Sequence, residues 1–334
     1  MKKENCSNLI CEEPVLFFSK EGKFFAKVAF EVEKLIKIEN PAKREILSVD
    51  EVCISGRELQ TTKKISSVFQ KEWLKGENLP NDLHADLRFN VGDILLPIPQ
   101  ELVAYQYWVT YQAKETPKYP KTVKYAENVV RVKEKLQRGE DITILIYGDS
   151  ISNAANSSWQ LELPPYRKPW YEIAAEKISE KYGGKVSIVN NSKSGYPSSW
   201  GVENLEEKIQ EVDFDLIVEG FGMNDGSADI STQVFEENVK KIITAKPNVS
   251  AVLISSILPN EESSLSFYPL RMEYREALNR LCKTYNCALI DMTAISEFFQ
   301  DKKIYAEISG NNFNHPNDFI YNFYANSLIE LLCD

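Results

Sequence analysis

Residues 142–153 read ITILIYGDSISN, an apolar run that ends at Gly-Asp-Ser. A short, nearly continuous run of isoleucine and leucine is typical of a strand buried on both faces of a sheet. Gly, Asp and Ser are turn-forming residues, so we expect the strand to end at Gly148. Ser150 then stands at the carboxyl end of a buried strand, either as the cap of the next turn or as a nucleophile.

The chain after this strand alternates between apolar strands and helices. The further predicted strands are VSIVNN, FDLIVEGFG, SAVLISSI and ALIDM, and the predicted helices include PWYEIAAEKISEKYGG, STQVFEENVKKIITAKP and the run around YREALNRLCKTYN. PNDFIYNFYANSLIELLCD is predicted to close the chain as a helix with Pro316 in its first turn. Five apolar strands alternating with helices predict an α/β fold with a parallel sheet covered on both faces. Ligands bind beyond the carboxyl ends of such strands, where GDS, NSKSG and GFGMND lie.

The first part of the chain has a different pattern. Residues 1–118 contain short segments rich in β-branched and aromatic residues. Along residues 103–110, Val103, Tyr105, Tyr107 and Val109 alternate with Ala104, Gln106, Trp108 and Thr110, the period of two that is typical of a strand. This pattern predicts an all-β sandwich of the jelly-roll type. Residues 119–140 are predicted to form a linker helix that ends near Gly139, and residues 141–334 to form the α/β domain.

Composition narrows the class of protein. The chain has 334 residues, a formal net charge of −10 and six cysteines without CxxC spacing. Nucleic acid and anionic membranes are therefore not expected as partners, and no metal or cofactor site is predicted. No apolar run approaches the ~20 residues of a membrane span, and the amino-terminal residues lack the apolar stretch of a signal peptide. We expect a cytoplasmic protein, although a secreted chain that has lost its leader would read the same.

Serine becomes an effective nucleophile only when a base accepts its proton, and histidine suits this role near neutral pH. The chain has two histidines. His84 lies in the predicted β domain, whereas His315 precedes the last helix at the same end of the sheet as Ser150. The developing oxyanion also needs hydrogen-bond donors. The backbone N–H groups of Ser150 and Gly195 and the side-chain amide of Asn224 are candidates, since each follows a predicted strand.

Each of these residues alone has a simpler interpretation as a cap or turn residue. Together, their order and placement resemble the motif blocks of the SGNH (GDSL-type) hydrolase family: GDS at 148–150, a glycine after a strand, GMND at 222–225 and HPN at 315–317. The resemblance covers roughly residues 140–334. It implies a flavodoxin-like α/β/α sandwich with a five-stranded parallel sheet. It also implies that Ser150 is the nucleophile, that His315 is the base, and that Ser150, Gly195 and Asn224 form the oxyanion hole.

The sequence departs from the family pattern at one position. The family usually has Asp three residues before the histidine, and this chain has Asn312 there. An amide oxygen at Asn312 can accept the Nδ1 proton and set the tautomer, but it supplies no negative charge. Asp318, Glu307 or a backbone carbonyl in a Ser-His dyad are the alternatives for orienting His315.

The substrate is predicted from less evidence. The stretch LPPYRKPWYEIAAEKI and the predicted amino-terminal β domain resemble bacterial carbohydrate acetyl esterases. Trp159 and Trp200, like Trp170, lie beside the GDS and Gly195 segments, where aromatic faces stack on sugars, although burial is the commoner fate of tryptophan. We expect a serine esterase that removes acetyl groups from a carbohydrate, with a small-molecule or oligosaccharide ester as its substrate. The alternatives are a lipid or thioester hydrolase and a glycan-binding protein that has lost catalysis.

Overall fold

The computed structural model describes residues 9–20, 45–52, 102–113, 119–160, 166–260, 268–300, 302, 305–311 and 314–334. The strands are β1 (Leu9–Lys20), β2 (Glu45–Val52), β3 (Leu102–Ala113), β4 (Val123–Lys124), β5 (Ile142–Gly148), β6 (Val186–Asn190), β7 (Leu216–Gly220), β8 (Ser250–Ser255) and β9 (Ala288–Asp291). The α-helices are α1 (Val130–Gln137), α2 (Trp170–Tyr182), α3 (Ser198–Glu203), α4 (Met223–Ser227), α5 (Thr232–Thr244), α6 (Tyr268–Tyr285), α7 (Met292–Gln300), α8 (Tyr305–Ile308) and α9 (Asp318–Cys333). A 3₁₀ turn spans Ala126–Val129 and a π-helical turn spans Glu206–Gln210.

Six strands form the sheet of the α/β part, in the order β4-β9-β8-β7-β5-β6. The five predicted strands β5 to β9 are parallel to their neighbours, and their order is that of flavodoxin-like folds. The prediction of a five-stranded, purely parallel sheet is wrong because β4 adds a sixth, antiparallel edge strand that pairs with β9. A strand of two residues is too short to show the alternation by which strands are recognised.

Residues 119–140 hold more than the single helix predicted there. They contain β4, the 3₁₀ turn and the shorter helix α1, and the side chains of Val129, Val132 and Leu136 are fully buried in the core beside the sheet. Asn128 Nδ2 donates to the carbonyl of Cys287 at 2.9 Å, which ties the 3₁₀ turn to the residue before β9. The segment therefore packs as part of the α/β layers.

The described residues before position 119 form a three-stranded antiparallel sheet in the order β1-β3-β2. The alternating residues 103–110 lie within β3, as predicted. The residues that would complete a jelly-roll sandwich lie outside the described ranges. The sandwich and the division of the chain into domains therefore stay predictions.

The sheet separates two apolar cores, and β5 contributes to both. Ile142, Ile144 and Ile146 belong to one buried cluster, and Leu145 and Tyr147 belong to the other. This alternation is the expected result when helices cover both faces of a strand. All residues of β5 except the partly exposed Thr143 are therefore buried.

The helix boundaries follow local signals. Gly183 ends α2 with φ +81, in the left-handed region that glycine favours, as predicted from its position after the helix. The last helix begins later than predicted: Asn317 is its N-cap and accepts a hydrogen bond from Ile320 N at 3.3 Å, so Pro316 precedes the helix. Among the described residues, no helix combines the length and apolar character needed to cross a bilayer.

Candidate active site

The turn after β5 depends on close packing at Gly148. A Cβ at this position would lie 2.2 Å from Ser152 Oγ and 2.6 Å from the carbonyl oxygen of Gly220, so a larger residue would push the turn away from β7. Asp149 Oδ1 accepts a hydrogen bond from Ile151 N at 2.9 Å. The capping role that the sequence left open for Ser150 therefore belongs to Asp149, and the Ser150 hydroxyl makes another contact.

That contact is with the predicted base. Ser150 Oγ lies 2.8 Å from His315 Nε2, although 165 positions separate the two residues in the chain. The loop before α9 holds the histidine backbone: Asn311 Oδ1 accepts hydrogen bonds from His315 N at 3.0 Å and Asn314 N at 2.9 Å. Ser309 Oγ donates to the His315 carbonyl at 2.8 Å. The structure thus brings together the serine and the histidine that the sequence singled out.

The second ring nitrogen of His315 contacts a residue that the sequence did not indicate. His315 Nδ1 lies 2.5 Å from Asn156 Oδ1, in the turn that carries Ser150. Asn312 and the side chain of Glu307 lie outside the described residues, so their predicted roles stay predictions. Asp318 Oδ1 accepts its hydrogen bond from Ser158 N at 2.9 Å, which directs this carboxyl group to the Ser150 turn.

Burial shifts the pKa of the ionisable groups at this edge of the sheet. Desolvation lowers the pKa of His315 to about 4, so the imidazole is neutral near pH 7 and able to accept a proton. Desolvation raises the pKa of Asp149 to about 7, against hydrogen bonds from Ile151 N and Met223 N that favour the carboxylate. The contact between Asp149 Oδ2 and Met223 N is 3.2 Å long and ties the Ser150 turn to the start of α4.

Two of the three predicted oxyanion donors, Gly195 and Asn224, lie on loops that are linked to each other. Gly195 has φ +83, and the space where its Cβ would stand is open. Asn224 Nδ2 donates to the carbonyl of Tyr196 at 3.3 Å. The buried Asp225 carboxylate accepts hydrogen bonds from Ser198 N at 3.0 and 3.1 Å. The Gly195 loop and the first turn of α4 are therefore held together beside the Ser150 turn.

The tryptophans near these loops differ in exposure. Trp159 is 48% exposed, whereas Trp170 is buried and donates from its indole to the Ile151 carbonyl at 3.4 Å. Trp200 is half-buried, with its ring 5.5 Å from that of Tyr196. Tyr196, which the sequence analysis overlooked, is 42% exposed and directly follows Gly195. Within the described ranges, no cluster of three His, Cys, Asp or Glu residues is arranged to hold a metal ion.

The family of the chain follows from comparison with known proteins. A family model described as the GDSL-like lipase/acylhydrolase family matches residues 146–322, more than half of the chain. The chain belongs to this family. The matched range contains Ser150, Gly195, Asn224 and His315, and the family's description covers enzymes that hydrolyse carboxylic esters.

Individual relatives are distant. A segment of 101 residues is 28% identical to an arylesterase from Vibrio mimicus, covering 30% of this chain and 46% of that protein, so the match spans less than half of the relative's length. A mutant of Axe2, an acetyl-xylooligosaccharide esterase from Geobacillus stearothermophilus, superposes with a TM-score of 0.50 at 15% identity, over 59% of this chain and 96% of that one. LAE5, an α/β hydrolase from the metagenome of Lake Arreo, Spain, also has a TM-score of 0.50, at 14% identity, over 59% of this chain and 98% of that one. At these identities the structures establish a shared fold.

Proposed function

We propose that this protein is a serine esterase that hydrolyses short-chain acyl esters, and O-acetyl groups on a carbohydrate in particular. The observation that carries the proposal is the 2.8 Å contact between Ser150 Oγ and His315 Nε2 at the carboxyl end of β5, in a chain of the GDSL-like family. Nucleophile and base within hydrogen-bond distance are the minimum that acyl transfer to serine requires.

Acylation begins when Ser150 Oγ attacks the ester carbonyl and its proton passes to His315 Nε2. The low pKa of His315 keeps the imidazole available as a base over a wide pH range. The tetrahedral intermediate then collapses, and His315 returns the proton to the leaving alcohol. An acyl-Ser150 intermediate remains.

Deacylation repeats the same steps with water as the nucleophile, and it releases the carboxylic acid and free Ser150. In both halves the negative charge on the carbonyl oxygen needs donors placed in advance. The backbone N–H groups of Ser150 and Gly195 and the amide of Asn224 are our candidates. The Asp225–Ser198 hydrogen bonds join the Gly195 loop to α4, and the hydrogen bond from Met223 N to Asp149 joins α4 to the Ser150 turn.

The aromatic character of the apolar surface at this edge of the sheet supports a carbohydrate ester as the substrate. The exposed large apolar side chains that the structure describes in the loops around Ser150 and Gly195 are aromatic: Trp159, Tyr166 and Tyr196. Aromatic faces stack on sugar rings while their polar tips stay in water, whereas a site for long acyl chains would present aliphatic surface. This composition favours a sugar ester over a lipid.

The first test separates an esterase from a glycan-binding protein. We expect the Ser150→Ala variant to lose at least about 10⁴-fold in kcat on p-nitrophenyl acetate, because no nucleophile remains. Ser152→Ala is the matched control, since Ser152 lies in the same turn and its hydroxyl donates to the Gly220 carbonyl at 3.2 Å. Equal hydrolysis by wild type and Ser150→Ala would show that this proposal is wrong.

The second arm of this test concerns the substrate. Acetylated xylo-oligosaccharides and octanoyl esters are compared by kcat/KM with the same enzyme preparation. We expect the acetylated sugar to be preferred, and Trp159→Ala to raise KM for the sugar more than for p-nitrophenyl acetate. Preference for the octanoyl ester would favour a lipid hydrolase instead.

A further inference from the structure

Asn156 faces the ring nitrogen of His315 that does not contact Ser150, and this contact defines the tautomer of the imidazole. Nε2 must be unprotonated to accept the Ser150 proton, so the neutral ring carries its hydrogen on Nδ1. A carboxamide oxygen only accepts hydrogen bonds, and Asn156 Oδ1 lies 2.5 Å from Nδ1. The contact therefore favours the tautomer that lets His315 act as a base.

We propose that Asn156 is the positioning residue of this site, holding His315 through Nδ1 in the place of the family's aspartate. The assignment rests on the proposed esterase function and deepens it. The nucleophile and the orienting residue then come from one turn of the chain, and the base alone comes from the loop before α9.

The backbone around Asn156 holds its side chain in place. Asn156 has φ +60, a left-handed conformation that asparagine tolerates better than most residues, and its N–H donates to Gln160 Oε1 at 3.0 Å. The preceding residue, Ala155, donates from N to the Ser150 carbonyl at 3.0 Å. The Ala155 carbonyl accepts from Tyr321 Oη at 2.8 Å, which fastens the turn to α9.

Close packing joins the turn to the histidine loop. A Cβ on Gly310 would lie 2.5 Å from the carbonyl oxygen of Asn156 and 2.7 Å from its Cβ. Gly310 N in turn donates to the His315 carbonyl at 2.9 Å. The absent side chain at position 310 thus allows the two loops to approach closely enough for the 2.5 Å contact.

The carboxyl groups on the neighbouring elements are bonded elsewhere in the described structure. Asp149 accepts from Ile151 N and Met223 N, and Asp318 accepts from Ser158 N and faces Arg167. The Tyr321 hydroxyl donates to the Ala155 carbonyl. Among the described residues, the partner that orients His315 is therefore a neutral amide, and burial lowers the pKa of His315 to about 4.

The experiment replaces Asn156 by Asp and by Ala and records kcat, KM and the pH profile with p-nitrophenyl acetate. In the wild type we expect kcat/KM to fall only as the pH drops towards about 4, because His315 then becomes protonated. With Asn156→Asp, the new carboxylate stabilises the imidazolium, so this limb moves up by at least about 1 pH unit. With Asn156→Ala, we expect kcat to fall about 10²-fold or more while KM changes by less than about threefold.

Two controls make the result specific. Asn153→Ala removes an amide from the same turn that donates to the Ser192 carbonyl at 3.2 Å, and it is expected to leave the pH profile unchanged. Asn312→Asp tests the position indicated by the family pattern. A pH limb that moves in Asn312→Asp and stays in Asn156→Asp would overturn the assignment.

A spectroscopic readout is independent of turnover. Because the chain has two histidines, His84→Gln leaves His315 as the one ¹⁵N-labelled imidazole, and the signals of its two ring nitrogens report the tautomer. We expect a neutral ring protonated at Nδ1, and a mixture of tautomers once Asn156→Ala is added. A ring protonated at Nε2, or a tautomer that does not change with Asn156→Ala, would contradict the role proposed for Asn156. This holds even if the Ser150→Ala variant shows that the protein is a serine esterase. Conversely, equal hydrolysis by wild type and Ser150→Ala would disprove the esterase and leave the tautomer result standing.

Discussion

Gly310 shows how one missing side chain supports the site. The nearest atoms to a Cβ at this position belong to the backbone and Cβ of Asn156, which cannot swing aside as a long side chain can. The sequence gives no sign of this requirement, because the two residues lie far apart in the chain and only packing brings them together.

We therefore expect Gly310→Ala to separate the two loops. Overpacking of this kind costs about 1–3 kcal/mol of stability, and the displaced Asn156 would no longer orient His315. The expected result is a lower Tm together with a loss of kcat of about tenfold or more. Gly183→Ala is the control: its φ of +81 makes alanine strained, but the position lies at the end of α2 with open space around it. A Gly310→Ala enzyme with unchanged kcat would contradict this account.

Some residues of the candidate site could be predicted from the sequence, and others could not. Ser150 and His315 stand in short motifs at strand and helix boundaries, so chain order alone was enough to pair them. Asn156 could not be found in this way, because its contact spans 159 positions and its turn reads as an ordinary run of small polar residues. The family pattern indicated Asn312 instead, which lies three residues before His315 in the chain.

The edge strand β4 was not predicted from the sequence. An ion pair between Lys124 of β4 and Asp291 of β9 helps to hold it in place. The carboxylate of Asp291, at the end of β9, is fully buried and accepts hydrogen bonds from Lys124 Nζ at 2.7 Å and from Arg275 Nη2 at 2.7 Å. Burial alone would raise the pKa of Asp291, but the hydrogen bonds from Arg275 and Lys124 outweigh it and hold the pKa below its usual value. The longer strands and helices were predictable because apolar residues recur along them at regular spacing. With two residues, β4 is too short to show such a pattern.

We expect the two cations around Asp291 to contribute unequally to stability. Arg275→Ala leaves a buried carboxylate with Lys124 as its remaining cationic partner and should lower the free energy of unfolding by about 3 kcal/mol. Lys124→Ala removes a cation whose side chain is 36% exposed and should cost about 1 kcal/mol or less. Urea denaturation at pH 7 measures the free energy of unfolding of both variants. Equal losses would show that the difference in burial between Arg275 and Lys124 does not affect their contributions to stability.

For the whole molecule, buried carboxyl groups beneath the site link stability to pH. Burial raises the pKa of Asp149, Glu219, Asp225 and Asp318, so the folded state holds protons that the unfolded chain releases. The contribution of such a group is fully present below its unfolded pKa and is lost as the pH rises through its folded pKa. For Asp149 that window runs from about 4 to about 7.

Replacing Asp149 by Asn should therefore flatten the pH dependence of stability. In the wild type we expect the free energy of unfolding to fall between pH 4.5 and 7, with a slope from this group of at most about 1.4 kcal/mol per pH unit. Urea titrations at several pH values give the slope. Asp213→Asn is the control: Asp213 is fully exposed, and the variant should keep the wild-type slope of unfolding free energy against pH. The same slope in Asp149→Asn would contradict the pKa assigned to Asp149.

The separation of Ser150 and His315 in the chain also has a consequence for synthesis. The turn that holds Ser150, our proposed nucleophile, is synthesised before the loop that holds His315, our proposed base, and Tyr321 of α9 fastens that turn. A nascent chain still lacking these residues has a serine with no proton acceptor beside it. Esterase activity should thus appear only after the loop before α9 and α9 itself have been synthesised and have docked on the Ser150 turn.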